Sequence, residues 1–196
     1  MDLIERIQNQ FEQSARLKLD SAELLAVPIA RAADRILQCV LSDGKVLACG
    51  NGGSAADSQH FAAEMVNRFE QERPGLAAIA LTTDTSILTS IANDYAYHQV
   101  FARQVTALGQ PGDVLLAIST SGNSESVVRA AQAAHERDMS VIALSGRDGG
   151  NLAEQLSDSD ILICVPADNT ARIQEIHLLT IHCLCEAVDS VLLGVA

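Results

Sequence analysis

The chain has 196 residues, of which 48% are hydrophobic and 19% charged, a composition typical of one folded globular domain. Its formal net charge of −12 argues against a nucleic-acid surface, because polyanions are bound by clustered Lys and Arg. The five cysteines stand in apolar stretches, so we expect buried, reduced thiols rather than a disulfide framework.

Two helices are predicted ahead of the first strand. Residues 2–25 carry apolar side chains at helical spacing, which predicts an amphipathic helix. Pro28 suits the first turn of a second helix over residues 29–41, since proline lacks the N–H that a first turn leaves unpaired. We therefore divide a single domain, residues 1–196, into N-terminal helices over 1–42 and an α/β core over 43–196.

No targeting or membrane segment is expected. Residues 1–16 carry alternating charges and lack the apolar region of a signal peptide. The longest apolar region, residues 176–195, is interrupted by His177, His182 and acidic residues, unlike a membrane span. We therefore expect a cytoplasmic protein.

Short apolar runs alternate with helical patterns through the core. The predicted strands are residues 45–49, 77–81, 114–118, 141–144 and 161–165. Runs without polar alternation are what a parallel sheet covered on both faces requires. The predicted fold is a doubly wound α/β sandwich of roughly five strands, with ligands bound at the carboxyl ends of the strands.

The loop after the third predicted strand, STSGNS at residues 119–124, has the features of a phosphate site. A strand that ends in small hydroxyl residues and then opens a helix directs backbone N–H groups and the positive end of the helix dipole at one spot. The plainer alternative is a helix cap, with Ser121 or Ser124 binding the first helical amides. Four Ser or Thr residues in six exceed what a cap needs, which favours phosphate.

A second loop, GNGGS at residues 50–54, follows the first predicted strand. Ser54 and Asp57 have the spacing of a capping box, which predicts that a helix opens at Ser54. Glycines allow a ligand to approach the backbone closely, although a plain tight turn explains this loop equally well on its own. Together the two loops predict a site with two walls.

Two predicted helices carry side chains suited to acid, base or metal chemistry. His60 and Glu64 lie at i and i+4 on one helix face, which is either a solvated polar stripe or a metal or acid–base pair. The last predicted helix, residues 170–193, contributes four further side chains: Gln174, Glu175, His177 and His182. A buried histidine bonded to the backbone is an equally good interpretation there. Asn93 and Asp94 follow an apolar run and indicate a turn.

Six segments in order along the chain resemble the sedoheptulose 7-phosphate isomerase (phosphoheptose isomerase) family of sugar isomerase (SIS) domains. They are CGNGGSAADSQHFAAEM, AIALTTDTS, IANDY, GDVLLAISTSGNS, ALSGRDGG and RIQEIHLL. The family converts sedoheptulose 7-phosphate to D-glycero-D-manno-heptose 7-phosphate, the first step towards the ADP-heptose of the lipopolysaccharide core. The resemblance implies an aldose–ketose isomerase that works by enediol proton transfer, and a homotetramer assembled partly through the N-terminal helices.

The resemblance also implies roles for individual residues. The implied proton-transfer pair is Glu64 and His182. One zinc ion per subunit is implied at His60, Glu64, Gln174 and His182. The implied substrate contacts are Asn51, Gly52, Gly53, Ser54, Glu64, Asn93, Asp94, Ser119, Thr120, Ser121, Ser124 and Gln174.

Two features of the chain bear on these roles. Family members often carry Asp directly before the RIQE segment, where this chain has Ala171, and Asp168 or Asn169 are the candidates to replace it. Gln174 and His182 are eight residues apart, or about 12 Å along one helix, whereas ligands of one tetrahedral zinc lie only ~3–4 Å apart. Either these side chains lean towards each other or one comes from a neighbouring subunit, and we favour the shared site.

The main alternative is a non-enzymatic SIS adaptor that binds the bacterial replication initiator, which the chain resembles through TARIQE and HCLCE. An adaptor has no need of an acid and a base, so Glu64 and His182 favour the enzyme. A sugar-phosphate-sensing regulator would need a DNA-binding domain, for which the chain has no room. We therefore expect a sugar phosphate as ligand, with no direct contact to nucleic acid or membrane.

Overall fold

The computed structural model describes residues 2–194, which form a parallel sheet with helices on both faces. In chain order the elements are α1 (Leu3–Leu41), β1 (Val46–Gly50), α2 (Gly53–Val66), β2 (Ala78–Ala80), α3 (Thr85–Asp94), a 3₁₀ helix (Tyr97–Gln99), α4 (Ala102–Leu108), β3 (Val114–Ser119), α5 (Glu125–Glu136), β4 (Ser140–Gly146), α6 (Gly150–Glu154), β5 (Ile161–Val165) and α7 (Thr170–Leu193).

The five strands lie in the order β2-β1-β3-β4-β5, and every neighbouring pair is parallel. The strand order reverses at β1, whose sequence neighbour β2 lies on one side and β3 on the other. Gly50 at the end of β1 pairs with Ile118 near the end of β3. The loops after these two strands therefore lie side by side at the switch point, where doubly wound sheets bind ligands.

Both faces of the sheet are covered. Within β1, Val46 and Ala48 pack into the core formed with α1, α2 and α7. Leu47 and Cys49 point into the opposite core, formed mainly with α4 and α5. This two-sided burial explains why the strands read as unbroken apolar runs, and the predicted doubly wound sheet is confirmed.

All five predicted strands are present, with ends that differ by at most two residues. The fifth coincides with β5 at Ile161–Val165, whereas β4 begins one residue earlier and ends two later than predicted. The prediction of five buried cysteines is wrong in part. All five are free thiols, but Cys164 and Cys183 are only partly buried.

The predicted break at Pro28 is wrong, because α1 continues through this residue as one helix. Proline removes one helical hydrogen bond and crowds the preceding turn. The buried positions of α1 nevertheless lie on both sides of Pro28, including Leu25 before it and Ile36 after it. Packing of one continuous face against the core therefore outweighs the local cost of the proline.

The last helix, α7, is long and apolar enough to cross a membrane by length and composition alone, a test that the core helix of a soluble protein also passes. Ile173, Ile181 and Leu184 are buried and belong to the core that α1 and α2 share. This packing is that of a core helix in a globular domain.

Candidate functional site

The loop between β3 and α5 is held by its own hydroxyl groups. Ser119 Oγ donates to Ser124 Oγ at 3.1 Å, and Ser121 Oγ accepts from the Asn123 N–H at 3.2 Å. Ser124 is the N-cap of α5, but its side chain accepts no hydrogen bond from the helix. The alternative of a side-chain helix cap is therefore wrong, and the first amides of α5 stay available to an anion.

Gly122 allows this loop to pack tightly against the turn after β4. It has a φ of +67°, and a Cβ atom there would overlap the carbonyl oxygen of Gly149. Leu152 N–H donates to the Gly122 carbonyl at 2.8 Å, and Asn151 N–H donates to Asn123 Oδ1 at 3.0 Å. The conformation of residues 119–124 is thus fixed from behind by the β4–α6 turn.

The second predicted loop forms the other wall. The helix α2 begins at Gly53, with Gly52 as N-cap and no side-chain cap, so the predicted capping box of Ser54 and Asp57 is wrong. Ser54 is instead buried inside the first turn. With φ at +57°, Gly52 takes a conformation in which glycine is favoured.

Asn51 joins the two loops. Its Nδ2 donates to Ser126 Oγ at 2.9 Å, and its Oδ1 accepts from Tyr97 Oη at 2.7 Å. Sequence reasoning missed Tyr97 and Ser126. Ser126 could have been found from its position in the first turn of the helix that follows the hydroxyl loop. No sequence pattern indicates a role for Tyr97.

The helices α2 and α7 run side by side and bring part of the predicted proton-transfer and metal set together. His60 Nε2 lies 3.0 Å from His182 Nε2 and 3.6 Å from Glu64 Oε1. Gln174 contacts the other end of α2, where a Cβ atom on Gly53 would run into its amide group. One chain therefore supplies His60, Glu64 and His182 to one place and holds Gln174 elsewhere along α2, which accounts for the wide spacing.

The ring of Phe69 covers one side of this cluster, with its centroid 5.6 Å from that of His182. Asp57, three residues before His60, was missed as a site residue. Burial raises the pKa of Asp57, an effect that the charge of His60 opposes, and its Oδ2 is buried without a hydrogen-bond partner. The signal for it was a carboxylate one turn away from His60 on the same helix.

The donor chemistry here suits zinc only in part. Two imidazoles and one carboxylate are the ligand types that zinc prefers, and two nitrogens on a tetrahedral zinc lie roughly 3.3 Å apart, close to the 3.0 Å between the two rings. Within residues 2–194, however, no three His, Cys, Asp or Glu side chains are arranged to hold a metal ion. The nearby Cys185 is no thiolate ligand, since burial raises its pKa to about 12, helped by the Glu64 and Asp189 carboxylates.

Asn93 and Asp94 do not form the predicted turn. They are the last residues of α3, both exposed, and Asn93 Nδ2 donates to Asp94 Oδ1 at 2.8 Å. Helix α3 packs on the 3₁₀ helix that carries Tyr97, and Tyr97 in turn donates to Asn51.

Of the two candidates to replace the missing Asp at Ala171, Asn169 is already used. Its Oδ1 accepts from the N–H groups of Ala171 and Arg172 at 2.9 and 3.3 Å, which caps α7. Asp168 is exposed and lines a cleft of about 510 Å³ together with Asn123 of the hydroxyl loop. Of the two candidates, Asp168 is therefore the one whose side chain lies beside the hydroxyl loop.

Comparison with known proteins places this site in a family. The SIS domain matches residues 10–146. The chain is 71% identical over its whole length to the phosphoheptose isomerase of Thiobacillus denitrificans, of which it covers 99%, and 60% identical to that of Neisseria meningitidis, with 97% of each covered.

Solved structures agree with this assignment. A phosphoheptose isomerase from Neisseria gonorrhoeae superimposes with a TM-score of 0.92 at 57% identity, over 96% of this chain and all of that one. One from Francisella tularensis gives a TM-score of 0.94 at 46% identity, over 97% of this chain and all of that one. The chain therefore belongs to the phosphoheptose isomerase family of SIS domain proteins.

Proposed function

We propose that this isomerase converts sedoheptulose 7-phosphate to D-glycero-D-manno-heptose 7-phosphate, the first step of ADP-heptose synthesis for the lipopolysaccharide core. The observation that carries the proposal is the meeting of Glu64 and His182 around His60, on a chain that resembles phosphoheptose isomerases along its full length. An isomerase needs such an acid and base, whereas the replication adaptor weighed as the alternative does not.

The substrate phosphate binds at residues 119–124. Ser119, Thr120, Ser121 and Ser124 supply hydroxyl donors, and the uncapped amides of α5 supply the positive end of a helix dipole. These local donors are needed because the acidic chain as a whole repels an anion. The sugar extends towards residues 51–54 on the opposite wall.

Isomerisation by an enediol needs a base that moves a proton between C1 and C2 and an acid that serves the carbonyl oxygen. Glu64 moves the carbon-bound proton, and His182 protonates and deprotonates the oxygens. The contact between His60 and His182 fixes the orientation of the His182 ring, because a ring nitrogen that is already bonded cannot rotate freely.

Zinc is the cofactor that we propose, and His60, Glu64 and His182 would hold it. Gln174, the fourth ligand that the resemblance implies, would have to leave its place against Gly53 to reach the same ion. A zinc ion held there would supply a Lewis acid for the carbonyl oxygen of the substrate. A carboxylate bound to zinc is a weaker base, so Glu64 would act either as ligand or as base, or would alternate between the two roles.

The proposed active form is a cytoplasmic homotetramer. Several apolar side chains in the first half of α1 face solvent, including Phe11 and Leu19, each 76% exposed. An apolar stripe of this kind on a soluble chain is typical of a protein interface, which supports assembly through α1.

The experiment that tests the function is direct conversion. Purified protein is incubated with sedoheptulose 7-phosphate, and aldose formation is followed by NMR. Product formation that disappears in His182→Asn supports the proposal, whereas no product with either metal-free or zinc-supplemented protein contradicts it.

A further inference from the structure

Arg73 lies in the loop after α2, with only 1% of its side chain exposed. Its Nε donates to Oδ1 of Asp189, which is 4% exposed and lies on α7. Its terminal nitrogens donate to the last turn of α2, Nη2 to the Glu64 carbonyl oxygen and Nη1 to that of Met65, both at 2.9 Å. One buried guanidinium therefore joins the end of α2 to α7.

This contact suits arginine for two reasons. The last carbonyl groups of a helix have no partner within the helix and form the negative end of its dipole, so a cation there is favourable. A planar guanidinium can serve two carbonyls and a carboxylate at once, whereas a lysine ammonium cannot reproduce that fork. The same side chain thus provides donors for two carbonyl groups at the end of α2 and pairs with the Asp189 carboxylate of α7.

The position of this contact along the two helices is informative. Asp189 follows His182 by seven residues, which places it on the same face of α7 about 10 Å further on. The Glu64 carbonyl lies one turn beyond His60 on α2. The contact between the two histidines and the contacts of Arg73 therefore join α2 and α7 at two successive places along the same faces. A sliding movement of α2 along α7 would break both.

We infer that Arg73 and Asp189 are positioning residues, which fix the alignment of α2 against α7 and so hold His60 and Glu64 at their working distance from His182. Arg73 reaches α2 through backbone carbonyls rather than through the Glu64 carboxylate. Its loss therefore moves the helix end and leaves the chemistry of each site side chain intact. The kinetic part of this inference rests on the proposed function, but the geometric part does not.

The alternative is that the ion pair of Arg73 and Asp189 only stabilises the fold. A second ion pair, at a different place in the sheet, provides a control for this alternative. Lys45 Nζ lies 2.6 Å from Oδ2 of Asp113, whose side chain is 2% exposed. This pair joins the starts of β1 and β3, at the edge of the sheet opposite to the phosphate loop. Lys45→Met therefore removes an ion pair without touching α2 or α7, and the Asp113 carboxylate keeps two backbone donors, the N–H groups of Lys45 and Gln110.

Two variants of the pair are needed. Arg73→Met alone leaves a buried carboxylate uncompensated and risks unfolding, so the double variant Arg73→Met with Asp189→Leu removes both charges, a change that folded proteins often tolerate. Arg73→Lys keeps the charge but not the fork. Each full-length variant and Lys45→Met are compared with the unmodified chain by imidazole NMR and by kinetics.

The chain has five histidines, so the ring signals can be assigned individually. We expect the signals of His60 and His182 to shift in both Arg73 variants, with those of His98 and His135 unchanged. We expect kcat to fall at least tenfold, against the roughly hundredfold that a misplacement of 1 Å can cost, while KM stays within about twofold. Lys45→Met should lower the melting temperature without either effect.

Unmoved His60 and His182 signals in the double variant would overturn the inference, as would equal shifts in Lys45→Met. Wild-type behaviour of Arg73→Lys would rule out the need for the forked contact. If the unmodified chain shows no isomerase activity, the proposed function fails while the histidine signals still test the alignment.

Discussion

The Nε2 atoms of His60 and His182 lie 3.0 Å apart, although 122 positions separate the two residues in the chain. When both rings are neutral, one nitrogen must donate and the other accept, so the pair holds one proton between two nitrogens. This arrangement fixes a tautomer on each ring. It also places Glu64, 3.6 Å from the same His60 nitrogen, beside a proton carrier.

The first prediction tests Glu64 as the base. Glu64→Gln should lower kcat by at least a hundredfold, because the amide keeps the shape of the side chain but cannot take a proton, and general base catalysis contributes typically 10²–10⁴-fold. The measurement is turnover of sedoheptulose 7-phosphate beside calorimetric binding of the same sugar phosphate. Turnover within a few-fold of the unmodified chain would remove Glu64 from the mechanism.

The strands could be predicted from sequence because each is buried on both faces. A run such as VLLAI at 114–118 has no polar alternation, which is the pattern of a parallel strand covered on both faces. The positions of the two ligand loops, residues 50–54 and 119–124, could be predicted from the same strands, because each loop directly follows the carboxyl end of a strand. The starts of helices were harder to predict. Ser54 and Asp57 have the spacing of a capping box, but the N-cap of α2 is Gly52, which has no side chain to form one.

The contacts between helices could not be predicted, because they depend on how α2 and α7 cross the sheet. The sequence indicated His60 with Glu64 through local spacing alone. The approach of His182 to His60, and of Gln174 to Gly53, depends on tertiary packing that no local rule describes. Pro28 is the converse case, where a strong local rule gave way to the packing of one continuous helix face.

The second prediction separates backbone strain from loop packing. Gly122 and Gly112 both have positive φ, at +67° and +87°, but only at Gly122 would a Cβ atom meet neighbouring backbone. Gly112→Ala should cost about 1–2 kcal/mol of unfolding free energy and leave sugar-phosphate affinity unchanged. Gly122→Ala should also abolish that affinity, because the Gly149 carbonyl must move. Equal affinities by calorimetry would contradict the role of the Gly122 turn.

The third prediction concerns the hydroxyl groups of the same loop. Replacing Ser119, Ser121 and Ser124 by Ala should weaken sugar-phosphate binding by tenfold or more, since a hydrogen bond to a charged group contributes ~1.5–3 kcal/mol. The double variant Ser42→Ala with Ser159→Ala, on exposed turns before β1 and β5, is the control. Calorimetry that gives the same affinity for both variants would leave residues 119–124 as a structural loop only.

The fourth prediction uses His177, whose Nε2 donates to the Ser145 carbonyl oxygen of β4 at 3.0 Å. Burial lowers the pKa of His177 from 6.5 to about 4. Between these pH values His177 is protonated in the unfolded chain but stays neutral in the folded chain. Stability therefore falls as pH drops through this window, by up to about 3 kcal/mol.

His177→Gln keeps an N–H donor but cannot be protonated, so it isolates this effect from all other titrating groups. Urea unfolding at pH 7 and pH 4.5 should show a smaller loss of stability in the variant than in the unmodified chain. Equal losses in both proteins would show that His177 does not carry the acid sensitivity.

The last prediction decides between one chain and two as the source of the proton-transfer pair. Spacing along α7 favoured a site shared between subunits, but Glu64 and His182 both lie by His60 within one chain. Subunits with Glu64→Gln and subunits with His182→Asn, each inactive alone, should therefore stay inactive when unfolded together and refolded as mixed oligomers, because every site keeps one damaged residue. Differently tagged subunits and native mass spectrometry would verify that mixing has occurred. Recovery of part of the activity in verified mixed oligomers would mean that the two residues serve one site from different subunits.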